Sequence, residues 1–179
     1  MNERLVIIFP GAGYHEDKPL LYYAKKIAQK YDYDILVMNY GNRVFDIKNL
    51  DDYVDTVIQF ILKNELQIVG YQEIVSIEKS VGTLIAGKLY DLLGINAKRI
   101  VLTPLDESVK WLKQGDVIIS GLEDRLFCAE SRKKIDLMGI KGYYYESANH
   151  SLEIEGNILL SIEILHQVVS IYEMILGGK

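Results

Sequence analysis

Two hydrophobic rhythms alternate along this chain. Short β-rich runs come first in each pair: Leu5–Phe9 (LVIIF), Ile35–Asn39 (ILVMN), Glu73–Ile77 (EIVSI), Arg99–Thr103 (RIVLT), Asp116–Ser120 (DVIIS) and Gly142–Glu146 (GYYYE). They read as strands, most of them apolar on both faces. Between them, apolar residues recur every three or four positions, as on a helix with one buried face. Leu20, Leu21, Ala24, Ile27 and Ala28 form such a stripe within 17–30. Tyr53, Val54, Val57, Ile58, Ile61 and Leu62 form another within 49–63, with Asn49 as the expected N-cap. Residues 81–93 read as a helix closed by Gly94, and 155–176 as the last helix; shorter helices are expected over 107–112 and 132–137. This order predicts an α/β protein: a mostly parallel sheet covered on both faces, hence a three-layer α/β/α sandwich. No linker, repeat or low-complexity tract interrupts the pattern, and 179 residues suit one domain over 1–179.

In such sheets chemistry gathers in the loops at the carboxyl ends of the strands. The first of these is Pro10-Gly11-Ala12-Gly13-Tyr14. A dinucleotide fingerprint would need a third Gly near position 16, where Glu16 would clash with and repel a pyrophosphate. The turn instead offers backbone N–H groups suited to a developing oxyanion. After the third strand comes Glu78-Lys79-Ser80-Val81-Gly82. A Ser at the apex of a tight strand-to-helix turn lifts its Oγ clear of the sheet and aims the next amide, that of Val81, at the same point. Taken alone, Ser80 reads equally well as an ordinary helix cap. After the fifth strand stands Asp124, with Glu123 as its neighbour and rival for orienting an imidazole, and after the sixth stands His150. Ser80, Asp124 and His150 thus occupy three separate strand-end loops in the order nucleophile, acid, base.

Composition and charge narrow the classes. With 49% apolar and 25% charged residues the chain is globular material. A net charge of −5 without a Lys/Arg cluster argues against nucleic acid or an anionic membrane as partner. Cys128 is the single cysteine, so an intrachain disulfide is impossible, and it is discounted as a nucleophile. Two of the three histidines lie far apart without Asp/Glu companions at ligand spacing, so a metal site is not expected, and no cofactor is implied. The amino-terminal apolar run is too short for a secretory signal, and Glu163, His166 and Glu173 interrupt the apolar segment 158–176. The expectation is a soluble cytoplasmic protein, with a homodimer face conceivable on the last helix.

The segments "IIFPGAGY", "SIEKSVGTLIAGKL", "VLTPL", "DVIISGLEDRLF" and "ESANHSLE" resemble a small α/β-hydrolase without a lid domain, nearly from end to end. The resemblance implies a minimal α/β-hydrolase fold without a cap domain. It implies Ser80 as nucleophile, His150 as general base and acid, Asp124 as its orienter, and the N–H groups of Ala12 and Val81 as oxyanion hole. Gly11, Gly13, Tyr14, Glu78 and Lys79 are the candidate pocket-lining residues, Lys79 being expected to point to solvent. The substrate class so implied is a small ester, thioester or related acyl compound. Glu78 departs from the Gly-x-Ser-x-Gly pattern, where a small residue stands. A second reading therefore stays open, a binding or regulatory protein on a hydrolase scaffold.

Overall fold

The computed structural model describes residues 3–41, 45–64, 68 and 70–178. Six strands, β1 (Arg4–Phe9), β2 (Asp34–Val37), β3 (Glu73–Lys79), β4 (Lys98–Leu102), β5 (Val117–Gly121) and β6 (Lys141–Tyr145), form one sheet in the order β2-β1-β3-β4-β5-β6. Every pairing is parallel. Five α-helices connect or follow them: α1 (Pro19–Lys30), α2 (Leu50–Asn64), α3 (Val81–Leu93), α4 (Ala129–Leu137) and α5 (Ile158–Leu176). Ile47–Asn49 and Asp106–Trp111 are 3-10 turns. Asn49 therefore lies inside a turn, and Asp46 caps that turn by accepting from Lys48 N–H at 2.9 Å.

The sheet is sandwiched as the apolar pattern requires. On one face Val6, Ile8, Val75, Ile77, Ile100 and Ile119 pack against α1 and α5 through Leu21, Ala24, Val168 and Tyr172. On the other, Leu5, Ile7 and Phe9 meet α2 and α3 through Val57, Ile61, Ile85 and Leu89. Val101 and Ile118 extend that face toward Phe127 and Ile135 of the α4 region. Helix α5 is long and apolar enough to cross a bilayer, with mean hydropathy 1.5. Its inner side, Ile164, Val168, Ile171 and Tyr172, is buried, whereas Ile158, Leu159 and Ile162 are exposed.

The strand order locates the site before any side chain is considered. From β1 the chain winds outward to β2, then returns across β1 to β3 and proceeds the other way. This reversal leaves a crevice at the carboxyl ends of β1 and β3, the place where open parallel sheets bind ligands. The Gly11–Tyr14 turn follows β1 and Ser80 follows β3. Close packing between these two ends depends on Gly82. A β-carbon there would lie 2.4 Å from the Phe9 carbonyl oxygen and 2.7 Å from that of Pro10. Both obstacles are backbone, so neither can swing aside. Gly82→Ala is expected to lower unfolding free energy by about 3 kcal/mol, the upper part of the overpacking range, which a urea titration would read.

Candidate active site

Ser80 sits between β3 and α3 with φ 55° and ψ −124°, a backbone conformation that L-residues rarely adopt. The strain is held from both sides: Ser80 N–H donates to Leu102 O at 3.0 Å, and Ser80 O accepts from Thr83 N–H at 2.9 Å and from Thr83 Oγ1 at 2.7 Å. The hydroxyl makes no capping bond to α3. It lies instead 2.7 Å from His150 Nε2, and Ser80 as a whole is 8% exposed.

His150 comes from the loop between β6 and α5. Ser147 and Leu152, both at positive φ, bend that loop, and Asn149 Oδ1 ties it by accepting from Ser151 N–H at 2.8 Å and Glu153 N–H at 3.2 Å. The other ring nitrogen, Nδ1, stands 2.9 Å from each carboxylate oxygen of Asp124. Asp124 is buried and also accepts from Leu126 N–H at 2.9 Å, while Glu123 is exposed. With the carboxylate accepting from Nδ1–H, Nε2 is left as the acceptor for the serine proton. The loops bearing Asp124 and His150 are joined directly, Leu122 N–H donating to Tyr145 O at 2.9 Å and Glu123 N–H to Ala148 O at 3.0 Å. Gly121 permits that approach, because a β-carbon there would lie 1.9 Å from Ala148 O.

The Gly11–Tyr14 turn closes on itself through two bonds of 3.1 Å between the N–H and carbonyl groups of its end residues, with Ala12 and Gly13 at the exposed tip. It packs tightly on the elbow: a β-carbon on Gly11 would stand 3.2 Å from Ser80 Cβ. Val81 is the first residue of α3, and the first amides of a helix have no intrahelical acceptor. The site therefore brings together a hydroxyl, an imidazole, a carboxylate and two turns rich in backbone donors.

Two of the sequence-derived lining residues lie elsewhere than expected. Alternation along β3 sends Glu78 to the α3 face and Lys79 to the opposite one. Glu78 is fully buried, 0% exposed. Its carboxylate accepts from Arg99 Nε at 2.8 Å, Arg99 Nη2 at 2.7 Å and Ser76 Oγ at 2.6 Å. It does not crowd the serine; it is half of an internal ion pair. Arg99 completes the network by donating to Trp111 O at 2.6 Å and Thr83 O at 3.2 Å, with Asp116 at 3.7 Å. Burial opposes the guanidinium's charge, yet Glu78 holds its pKa above the ordinary value; burial pushes Asp116 up to about 6 against the pull of Arg99.

Lys79 is not solvated. It is 1% exposed, and its Nζ donates to Thr103 Oγ1 at 2.5 Å and to the His150 carbonyl at 2.9 Å. Desolvation pushes the ammonium down to about 7, against a smaller opposing pull from Asp124. This has a consequence for stability. The folded pKa lies below the unfolded one, so between about 7 and 10.5 the unfolded chain holds more protons, and stability rises with pH across that window. The slope from one such group is at most about 1.4 kcal/mol per pH unit. Compared with Lys79→Met, the wild type should gain about 2 kcal/mol in unfolding free energy between pH 7 and pH 9, measured by urea titration at both.

Beside the His150 loop lies a cleft of about 480 Å³, lined by Tyr14, Leu20, Leu152, Ile154, Ile162 and Leu165 among others, with Asn149 and Ser151 at its wall. Tyr14 lines this cleft, but neither Ser80 nor His150 does. Cys128, exposed before α4, takes no part in the site.

The same architecture occurs in solved structures. A protein of the alpha/beta hydrolase superfamily from Xanthomonas campestris pv. campestris superposes with a TM-score of 0.71 at 13% identity, over 98% of this chain and 99% of that one. A serine hydrolase without a lid from Xanthomonas campestris gives 0.60 at 12% identity, over 96% and 83%. The chain has the lidless α/β-hydrolase fold. The Est1E protein of Butyrivibrio proteoclasticus shares it as well, with a TM-score of 0.67 at 13% identity over 99% of this chain and 90% of that one. No protein-family profile matches the chain, and no curated protein matches it in sequence. Around the strand-to-helix turn this chain carries a buried Glu78–Arg99 pair on one face of β3 and a buried Lys79 directly before the serine.

Proposed function

We propose that this protein is a serine hydrolase that cleaves a small carboxylic ester, thioester or related acyl compound through an acyl-enzyme. The observation that carries this reading is the 2.7 Å contact between Ser80 Oγ and His150 Nε2, with Asp124 on the far side of the ring. His150 accepts the Ser80 proton as Oγ attacks the acyl carbonyl. The tetrahedral oxyanion is met by the amides of Ala12 and Val81, each worth roughly 3–4 kcal/mol of barrier. His150 then hands its proton to the leaving group, and water repeats the sequence on the acyl-enzyme. Nothing in this chemistry calls for a cofactor. The small-substrate class rests on the lidless fold, which leaves the site open at the strand ends.

The binding-protein reading rested on Glu78 spoiling the elbow. The burial of that carboxylate against Arg99, on the sheet face opposite Lys79, favours the hydrolase reading over it. The experiment is hydrolysis of p-nitrophenyl esters and acyl thioesters from two to about ten carbons. Turnover of the shorter chains, absent in Ser80→Ala, supports the proposal; no turnover of any by folded protein contradicts it.

A further inference from the structure

The acyl-transfer chemistry leaves one buried ionisable side chain beside it without a role, and that side chain touches both the His150 loop and the Gly11–Tyr14 turn. Lys79 precedes the nucleophile directly. Its stem is packed by the first turn: a β-carbon on Gly11 would lie 3.2 Å from both Lys79 Cγ and Lys79 O. Its Nζ lies 5.1 Å from the centroid of the Tyr14 ring, the residue that closes the turn carrying Ala12. The same Nζ donates to His150 O at 2.9 Å and to Thr103 Oγ1 at 2.5 Å. Charged or neutral, the amine has at least two N–H donors. The Thr103 hydroxyl and the His150 carbonyl accept them, and the Tyr14 ring lies alongside. Thr103 is itself anchored at the end of β4, with φ 41° and its N–H donated to Ile119 O at 2.7 Å.

Space filling does not explain a lysine here. The residue continues the row Val75 and Ile77 on the α1/α5 face, where Leu or Met would fill the volume without desolvating a cation. From this juxtaposition we infer that Lys79 is a positioning residue: it ties the His150 loop and the Gly11–Tyr14 turn to the floor of the sheet and so sets imidazole, nucleophile and oxyanion amides at working distance. The inference rests on the acyl-transfer reading above and adds the part that holds it in register. The bond to His150 O holds the carbonyl attached directly to the ring residue's own Cα, so losing it lets the imidazole drift from Ser80 while the fold persists. Rates are sensitive to such drift, with misplacement by about 1 Å costing on the order of 100-fold.

Lys79→Met keeps length and volume and removes the donors. Two quantities are read on folded protein, checked by near-ultraviolet circular dichroism. One is the rate at which a fluorophosphonate modifies Ser80; the other is the low-field proton resonance of His150 Nδ1–H, assigned by its loss in Asp124→Ala. The expected result is modification slowed about 10- to 100-fold and a shifted or broadened resonance, with KM for a hydrolysed ester changed less than about 3-fold. Modification within about 2-fold of wild type together with an unmoved resonance overturns the inference. If Lys79→Met does not fold, Thr103→Val decides, because it removes one partner of Nζ and leaves the amine: slower modification supports the role and an unchanged rate overturns it. A wild type whose Ser80 is not modified at all sinks the acyl-transfer reading instead. The resonance in Lys79→Met then still shows whether Lys79 holds His150, a moved signal supporting it and an unmoved one overturning it.

Discussion

Ser80→Ala is expected to lower kcat for any ester this protein hydrolyses by about 10⁴- to 10⁶-fold while leaving KM within a few-fold, the behaviour of a group used only in the transition state. The size follows from the geometry. The hydroxyl is the one group that the strained turn presents to His150 Nε2, at 2.7 Å, and alanine keeps the backbone while deleting it. Asp124→Asn should cost about 10⁴-fold by a different route. Both carboxylate oxygens stand 2.9 Å from His150 Nδ1, and an amide presenting its N–H there would favour the tautomer that leaves Nε2 protonated and unable to take the serine proton. Steady-state kinetics on one ester with the two variants checks both figures. If either variant retained more than a tenth of wild-type kcat, the assigned roles would be wrong.

Glu78→Ala should be the most destabilising single change near the site, lowering unfolding free energy by about 3–5 kcal/mol. The loss is not that of the pair's attraction alone. Arg99 is 3% exposed and would keep its charge in the interior, with Asp116 at 3.7 Å as its remaining acidic neighbour. Its bonds to Trp111 O and Thr83 O would then have to satisfy a cation that Glu78 now neutralises through two bonds. Glu78→Ala combined with Arg99→Met removes both charges, and should recover a large part of the deficit, because replacing a buried pair by apolar groups is often close to neutral. Urea unfolding of the two single variants and the double variant measures this. A cost below about 1 kcal/mol for Glu78→Ala would show that the pair is not holding the elbow's underside. The same reasoning predicts that restoring glycine at position 78 weakens the protein rather than activating it.

Much of this site was legible in the sequence because parallel α/β sheets translate strand ends into neighbours. Once the apolar runs are strands, Gly11–Tyr14, Ser80, Asp124 and His150 must lie along one edge, whatever their separation in the chain. The Gly94 stop of α3 could likewise be read from residue type, and it adopts the left-handed conformation glycine allows. What was not legible depends on where each strand stops. Ending β3 at Ile77 made Glu78 and Lys79 look like loop residues, one crowding the site and one in solvent. The strand runs through Lys79, so period-two alternation carries Lys79 into the row of Val75 and Ile77 and Glu78 into the row of Ser76. Their partners, Arg99, Thr103 and the His150 carbonyl, come from β4 and the last loop, and no local pattern announces them. Asp124 and Glu123 are both acids beside a turn, and residue type alone does not rank them. The bonds from Leu122 N–H and Glu123 N–H to the His150 loop set the register in which Asp124 turns inward.

The central claim, that Ser80 is an activated nucleophile, is tested most directly by its own reactivity. Wild-type protein at pH 8 is treated with a fluorophosphonate, digested, and the modified peptide identified by mass spectrometry. The account predicts stoichiometric modification of Ser80, slowed at least about 10³-fold in His150→Ala and absent in Ser80→Ala. Folded protein that stays unmodified, or that is modified equally well when His150 is alanine, would contradict it.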